Sequence, residues 1–169
     1  MDLPVVPVHR HPEYLTQCCD MINSEWKRST AARMRSLESS NDNLPTSLIL
    51  LDGERVIGHC RLIPIPSLTH SCYIETVVVH KDVRGRGYGT YLMKKAEEYV
   101  KTQLHFDAIY LVTSDKERFY DKLGYRACSP VSIYGCFISK CQSTLLKSVQ
   151  AANVPFNSNN KKTYMCKNI

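Results

Sequence analysis

The residues best suited to chemistry in this sequence are three glycines at alternate positions, flanked by two arginines. A glycine loop lets a ligand approach the backbone because no Cβ intervenes, and at the start of a helix it points several N–H groups at one spot. These groups, the positive end of the helix dipole and the two cations favour an anion such as a pyrophosphate. The loop consists of Arg84, Gly85, Arg86, Gly87, Tyr88 and Gly89.

The spacing of the glycines excludes two common phosphate-binding loops. The dinucleotide-binding fingerprint needs a glycine at position 90, which is Thr90, and no Gly-x-x-x-x-Gly-Lys-Ser/Thr sequence occurs. A glycine-rich turn without any ligand is the simpler alternative. The elements on either side of the loop argue against that alternative.

A strand and a helix must position this loop. The residues before it form a β-branched apolar run of strand length, and apolar residues after it recur at helical spacing with charges on the other face. The strand residues are Ile74, Val77, Val78 and Val79, and the helix residues are Leu92, Ala96, Tyr99 and Val100. The sequence therefore predicts a strand, an anion-binding loop and a helix in succession.

Two motifs together resemble those of the GCN5-related N-acetyltransferase (GNAT) superfamily. Arg84-x-x-Gly87-x-Gly89 is similar to the acetyl-CoA signature Gln/Arg-x-x-Gly-x-Gly/Ala, and the segment from Phe119 to Tyr125 is similar to the aromatic motif that follows it. The resemblance covers roughly residues 45 to 127. Within the superfamily, segments 24–33, 75–79 and 84–87 most resemble the animal enzymes that acetylate the N-terminus of actin.

The resemblance implies a GNAT fold in one domain over residues 1–169. This is an α/β (α+β) fold with a central mixed, mostly antiparallel sheet of about seven strands flanked by about four helices, and the order of predicted elements agrees with it. Strands are predicted at 1–11, 47–51, 55–63, 73–79, 108–112, 131–138 and 163–167. Helices are predicted from Pro12, over 30–37, after Gly89 and over 116–123, and residues 142–160 are predicted to form a loop.

The resemblance also implies direct transfer of an acetyl group from acetyl-CoA to an amine. Acetyl-CoA would contact the glycine loop, Ser114 and the central strand at Val77, Val78 and Val79, with an N–H near Val78 donating to the thioester oxygen. Tyr120 would be the general acid for the leaving sulfur, although a tyrosine at such a position often belongs to the core. Glu75 is the candidate base, acting through water.

The lack of a stronger base favours an α-amine as the acceptor. An α-amine has a pKa of about 7.7–8.0, so roughly a tenth to a fifth of it is neutral near neutral pH, whereas under about 0.1% of a lysine side chain is neutral. An N-terminal acetyltransferase can therefore work with a weak, water-mediated base.

The segment 26–35, which runs from the end of the first predicted helix into the second, holds the only tryptophan and four cations. In the superfamily this helical pair forms one wall of the acceptor groove. The resemblance therefore implies acceptor contacts from Trp26, Ala31, Ala32, Arg33 and Met34. Arg33 would pair with a carboxylate of an acidic N-terminus such as that of processed actin, alone or presented with an actin-binding protein. A solvated basic helix face is the simpler alternative.

Two other functions stay open. A small-amine acetyltransferase would need an acidic groove for its cationic acceptor, and a non-catalytic module that binds CoA or nucleic acid is favoured only by the net charge of +6. The sequence has no apolar run of membrane-spanning length and no Cys-x-x-Cys pair. We therefore expect a cytoplasmic monomer with no metal, no membrane contact and no nucleic-acid partner.

Overall fold

One mixed sheet organises the part of the chain that the structure, a computed structural model, describes, which is residues 2–134 and 162–169. In chain order the strands are β1 (Val5–Pro7), β2 (Thr46–Asp52), β3 (Arg55–Pro64), β4 (Ser71–Val79), β5 (Ala108–Thr113), β6 (Arg126–Ala127) and β7 (Thr163–Asn168). The helices are α1 (Leu15–Glu25), α2 (Thr30–Glu38), α3 (Tyr88–Thr102) and α4 (Glu117–Lys122). The strand order is β1-β2-β3-β4-β5-β7-β6.

Every neighbouring pair in this sheet is antiparallel except β4 and β5, which are parallel. The parallel pair requires a crossover, and α3 provides it between the two strands. The described residues thus have the mostly antiparallel, seven-stranded sheet and the four α-helices that the resemblance implies. The predicted GNAT fold is confirmed.

The two faces of the sheet bury separate apolar clusters. On β2, Leu48 and Leu50 pack with the buried face of α3, whereas Ile49 and Leu51 pack with α1 and α2. Because successive side chains of a strand point to opposite faces, α3 lies on one side of the sheet and α1 with α2 on the other. The uninterrupted apolar run of β2 follows from burial on both faces.

Sequence signals fix the ends of several helices. The side chain of Ser29 accepts a hydrogen bond from the Ala32 N–H and caps α2. Gly124 follows α4 with a φ of +91°, a conformation that favours glycine at a helix C-terminus. Pro12 begins a 3-10 turn, and α1 itself starts at Leu15.

Two predicted strands are wrong in part. Of residues 2–11 only Val5–Pro7 forms a strand, because Val8–Arg10 turns into a 3-10 helix that brings His9 within 2.9 Å of Ser40 Oγ. Residues 131–134 form no strand, and the position beside β7 is filled by β6, which the sequence does not predict. The remainder of that predicted strand and the predicted loop over 142–160 lie outside the described residues.

Candidate functional site

The central feature of the site is the separation of β4 from β5. The two strands pair only from Ser71 to Tyr73 on β4 and from Ala108 to Tyr110 on β5. Beyond Tyr73, β4 has an open edge, and a cleft of about 1020 Å³ lies there. Ligand-binding clefts typically measure about 300–1,000 Å³, so this one can hold a large cofactor.

The open edge of β4 presents backbone hydrogen-bonding groups to the cleft. The His80 N–H donates to the Ile57 carbonyl on β3 at 2.8 Å, so by strand alternation Val79 and Val77 direct their backbone groups to the other side. The Val79 carbonyl there accepts from Arg84 Nε at 2.8 Å. The N–H groups of Val77 and Val79, on either side of Val78, therefore face the cleft.

A bulge in β4 marks the start of this open edge. Thr76 has a φ of +56°, and the register with β3 shifts between His59 and Arg61. His59 Nδ1 donates to the Thr76 carbonyl at 3.2 Å, and this hydrogen bond helps to hold the bulged backbone in place. Burial lowers the pKa of His59 to about 3, so the ring is neutral at physiological pH.

The glycine loop forms part of the cleft lining. Gly85 and Gly87 have φ values of +79° and +86°, which disfavour any residue with a Cβ. Gly87 caps α3, so the first N–H groups of that helix point out of the loop. Gly89 is helical, and a Cβ there would lie 3.5 Å from Phe119, an ordinary packing distance. The backbone conformation of the loop therefore favours glycine at Gly85 and Gly87, but not at Gly89.

The two arginines of the loop differ in their surroundings. Arg84 lines the cleft, and its Nη2 donates to Glu25 Oε2 at 2.7 Å while Nε donates to Val79. Arg86 is exposed and lies outside the lining of the cleft. The structure thus links Arg84 to α1 and β4 and leaves Arg86 at the surface.

Tyr120 lies in the wall of the cleft at the aromatic end of α4. Its ring packs edge-on against Phe119 at 5.0 Å and Tyr125 at 5.8 Å between centroids. Burial raises the pKa of Tyr120 to about 12, with smaller contributions from Cys60 and Asp115. The hydroxyl therefore keeps its proton at neutral pH and can donate it.

Glu75 lines the same cleft and pairs with an arginine that sequence reasoning missed. Arg61 Nε on β3 lies 3.3 Å from Glu75 Oε1, and the Arg61 side chain is only 11% exposed. Arg61 also donates to the Ser36 carbonyl and to Ser47 Oγ, which ties α2 to the sheet. A lone cation inside the apolar run of β3 is the sequence signal that could have indicated this role.

Among the predicted acceptor residues, only Trp26 lines the cleft. The Trp26 side chain is 46% exposed. Arg33 is half-buried and donates from Nε to Asn23 Oδ1 at 3.1 Å and from Nη2 to the Trp26 carbonyl at 3.0 Å. Ala31 is exposed, while Ala32 and Met34 are half-buried on α2. Arg33 therefore contacts the cleft wall indirectly, through the backbone of Trp26.

The cleft brings together most of the other predicted residues. The predicted cofactor and catalytic residues that line it are Glu75, Val77, Val78, Val79, Arg84, Gly85, Gly87, Tyr88, Gly89, Ser114 and Tyr120. Lining residues that sequence reasoning missed include Glu25, Asp115 and Lys116. They come from the ends of α1 and β5, where no local pattern indicates a shared site.

Neither a metal site nor a membrane span is found in the described parts of the chain. Across residues 2–134 and 162–169, no three His, Cys, Asp or Glu side chains are arranged to hold a metal ion. Over the same residues, no helix is both long and apolar enough to cross a membrane.

The site fits acetyl-CoA on two structural grounds. The left-handed glycines leave nothing within 4 Å of where a Cβ would stand, so the loop backbone is open to an anion. The open edge of β4 offers N–H groups to an extended amide chain, as an added strand would use. Acetyl-CoA has both a pyrophosphate and such a chain, and the cleft joins the two features.

Comparisons with known proteins agree with this geometry. A family model described as "Acetyltransferase (GNAT) family" matches residues 12–125. N-alpha-acetyltransferase 80 of Mus musculus is 35% identical over 151 residues, which are 85% of this chain and 48% of that protein. The chain thus spans about half the length of this curated relative.

Solved structures of acetyltransferases share the fold. An aminoglycoside 6'-N-acetyltransferase complexed with coenzyme A superposes with a TM-score of 0.70 at 17% identity, covering 99% of this chain and 97% of that one. GCN5 of Tetrahymena superposes with a TM-score of 0.65 at 15% identity, covering 100% and 96%. The sequence match, the fold and the cleft lead to one conclusion: the chain belongs to the GNAT acetyltransferase family.

Proposed function

We propose that this protein transfers an acetyl group from acetyl-CoA to the α-amine of an acidic protein N-terminus, and that processed actin is its substrate. The observation that carries the proposal is the 35% identity to an N-alpha-acetyltransferase over 85% of the chain. The cleft supports it, because that likeness extends over the segments that form the glycine loop and the open strand edge.

Acetyl-CoA supplies the activated acetyl thioester in this proposal. The N–H groups of the glycine loop and the first turn of α3 hold its pyrophosphate, where the helix dipole adds to their attraction. The N–H groups of Val77 and Val79 hold the extended arm and polarise the thioester carbonyl. Such preorganised donors stabilise the charge that develops on the carbonyl oxygen in the transition state.

Two side chains in the cleft wall transfer protons during the reaction. Tyr120, with its raised pKa, gives a proton to the departing sulfur. Glu75 accepts a proton from the acceptor amine through water, and Arg61 holds its carboxylate in place. An α-amine requires little help from this base, because a sizeable fraction of it is already neutral near pH 7.

The charges around α2 favour an acidic acceptor over a polyamine. Burial lowers the pKa of Arg33, and the nearby Arg28 lowers it further. For Arg61, burial lowers the pKa most, Glu75 raises it, and Arg28 lowers it by a smaller amount. The guanidinium groups of Arg28, Arg33 and Arg61 thus lie near one another beside the cleft, and Glu75 is the carboxylate that raises the pKa of both Arg33 and Arg61. A polycationic acceptor would be repelled here, whereas consecutive Asp or Glu residues would be attracted.

A peptide panel tests the proposal. Acetyl-CoA is supplied with peptides that begin Asp-Asp-Asp, Glu-Glu-Glu or with neutral residues, with an acidic peptide whose α-amine is blocked but which contains lysine, and with spermidine. We expect acetylation of the free acidic N-termini, little of the neutral ones and none of the blocked peptide. Transfer to spermidine or to the lysine in preference to the acidic α-amine would overturn the assignment.

Actin itself provides the second arm of this test. Actin that is processed but lacks its N-terminal acetyl group is offered alone and with an actin-binding protein. Faster transfer to the actin than to its N-terminal peptide would indicate that surfaces beyond the acidic residues take part. No transfer to either form of actin, with good transfer to acidic peptides, would restrict the proposal to another acidic N-terminus.

A further inference from the structure

Glu25 is a carboxylate placed among cations in the lining of the cleft. It is the last residue of α1, and its side chain is 30% exposed. Its pKa is lowered first by the hydrogen bond from Arg84, with further contributions from Lys81 and Lys116. Glu25, Arg84 and Lys116 all line the cleft. A built-in anion therefore lies where cations gather beside the glycine loop.

Arg84 connects this carboxylate to both halves of the site. Its Nη2 donates to Glu25 Oε2 at 2.7 Å, and its Nε donates to the Val79 carbonyl at the open edge of β4 at 2.8 Å. Arg84 also immediately precedes Gly85, the first glycine of the loop. One guanidinium thus contacts the strand, the loop and the end of α1.

A carboxylate and a phosphate satisfy a guanidinium in the same way, through paired N–H donors. An anion held by the loop N–H groups can therefore take the place of Glu25 on Arg84 Nη2. The negative charge of Glu25 also opposes an incoming phosphate as long as it stays in the cleft wall. The pair is partly exposed, so exchange of one anion for the other involves only a small free-energy difference.

We propose that Arg84 exchanges Glu25 for a phosphate oxygen when acetyl-CoA binds. This exchange releases Trp26, the first residue of the acceptor wall, which is the segment from Trp26 to Met34 that is predicted to contact the acceptor. The inference rests on the proposed cofactor and adds a regulatory contact to the same site. Trp26 directly follows Glu25 and lines the cleft. Binding of the cofactor is thereby coupled to the acceptor side of the cleft.

If the Glu25–Arg84 pair had the opposite role, removing the charge of Glu25 would change the affinity for CoA in the opposite direction. If Glu25 served to hold Arg84 ready for phosphate, removing its charge would weaken CoA binding. If Glu25 competes with phosphate, removing its charge strengthens CoA binding. Damage to the fold cannot produce tighter binding, so the sign separates competition from a purely structural contact.

Calorimetric titration with CoA measures this sign. We expect Glu25→Gln to bind CoA about 2- to 5-fold more tightly than the wild type at low salt. Glu38→Gln is the matched control, because Glu38 likewise ends a helix, is exposed and forms no ion pair with any residue that the structure describes. In an Arg84→Gln background, the gain from Glu25→Gln should shrink, since the shared guanidinium is gone.

Fluorescence tests the coupling to the acceptor wall, because Trp26 is the only tryptophan in the chain. The probe is inorganic pyrophosphate, which has no aromatic ring and no arm to reach Trp26. We expect pyrophosphate to change the Trp26 emission of the wild type and of Glu38→Gln, and to change that of Glu25→Gln much less.

Three outcomes overturn this inference alone. Equal or weaker CoA affinity in Glu25→Gln than in Glu38→Gln rules out competition. An unchanged gain in the Arg84→Gln background removes Arg84 from the exchange, and identical emission changes in all variants remove the coupling. Failure of the wild type to bind CoA at all in the calorimeter would instead overturn the proposed function, and this inference with it.

Discussion

Arg61 and Glu75 face each other across β3 and β4, with the Arg61 Nε 3.3 Å from the Glu75 Oε1. Arg61 is nearly buried and is held by α2 and β2, whereas the Glu75 side chain is 37% exposed and lines the cleft. The arginine therefore fixes one oxygen of the carboxylate and leaves the group accessible from the cleft. This arrangement suits a base that accepts a proton through water, and it supplies the first prediction.

Replacing Glu75 with Gln should lower kcat/KM for an acidic peptide by about 10-fold or more near pH 6.5. The loss should shrink as the pH rises past about 8, because the α-amine then loses its proton without help. A pH profile of kcat/KM for Glu75→Gln and for the control Glu38→Gln measures both effects. A loss of the same size at every pH would indicate that Glu75 positions the acceptor and does not remove its proton.

Replacing Tyr120 with Phe should lower kcat by about 10²–10⁴-fold while CoA affinity holds. The substitution keeps the ring and its edge-on packing and removes only the proton that the raised pKa preserves. Tyr125→Phe is the matched control, since Tyr125 is fully buried and is not among the residues that line the cleft. Near-normal kcat in Tyr120→Phe would assign Tyr120 to the core.

The raised pKa of Tyr120 also predicts the alkaline limb of the activity. The protonated hydroxyl is the active form, and its pKa is about 12. Activity should therefore show no tyrosine-dependent fall as the pH rises from about 7 to 10, the range in which an ordinary tyrosine begins to ionise. A fall in kcat centred near pH 10 that disappears in Tyr120→Phe would contradict the buried environment of this hydroxyl.

Replacing Gly87 with Ala should weaken CoA binding by more than the accompanying loss of folding free energy explains. Gly87 has a φ of +86° and Gly53, in the turn between β2 and β3, has a φ of +58°, and neither would place a Cβ within 4 Å of another residue. Both substitutions should therefore cost about 1 kcal/mol of folding free energy through the same backbone strain. Thermal unfolding and CoA calorimetry on the two variants separate the effects. Equal CoA affinity in both would remove the glycine loop from the cofactor site.

The strand–loop–helix unit was predictable from sequence because its signals are local. A β-branched run, a glycine loop and a helical apolar stripe are each recognised from residues that lie close together in the sequence. The same holds for the Ser29 cap and for the glycine that ends α4. The structure confirms the predicted strand and helix with small changes in their bounds.

The separation of β4 from β5 could not be read from sequence, because it depends on where pairing stops between strands far apart in the chain. The position of Arg61 against Glu75 likewise depends on the bulge at Thr76, which sets the local register of β3 and β4. The Glu25–Arg84 pair joins residues 59 positions apart. Such non-local contacts carry no pattern within a single stretch of sequence.

His59 should make the protein less stable as the pH falls below about 6.5. Its pKa is about 3 in the folded protein, while an unfolded histidine titrates near 6.5, so only the unfolded chain takes up a proton between these values. The contribution of neutral His59 is thus fully present above pH 6.5 and is lost as the pH falls toward 3. It amounts to about 2 kcal/mol between pH 6.5 and pH 5.

Urea unfolding at about pH 7, 6 and 5 measures this contribution by comparison with His59→Gln, which does not titrate. The glutamine amide can still donate a hydrogen bond toward the Thr76 carbonyl that His59 contacts. We expect the stability difference between wild type and variant to change in favour of the variant as the pH falls. A difference that stays constant over this range would mean that His59 is accessible to protons.

The last prediction concerns Arg33 and the acidic acceptor. Arg33→Ala should raise KM for an Asp-Asp-Asp peptide by about 5- to 20-fold and KM for a neutral peptide by much less, because a partly buried guanidinium pairs with carboxylate more strongly than exposed cations do. Arg35→Ala, which removes an exposed cation from the same helix, should cost about 2-fold. The preference of the wild type for the acidic peptide should weaken as salt rises.

Asn23→Ala provides the control that this prediction needs, because Arg33 also braces the wall of the cleft. Asn23 Oδ1 accepts from Arg33 Nε at 3.1 Å, and Arg33 Nη2 donates to the Trp26 carbonyl at 3.0 Å. Asn23→Ala loosens this brace but keeps the cation, so it should affect acidic and neutral peptides alike. If Arg33→Ala behaves in the same way, Arg33 holds the loop at Trp26 and does not read the charge of the acceptor. A selective loss on the acidic peptide in Arg33→Ala alone would assign charge recognition to its guanidinium.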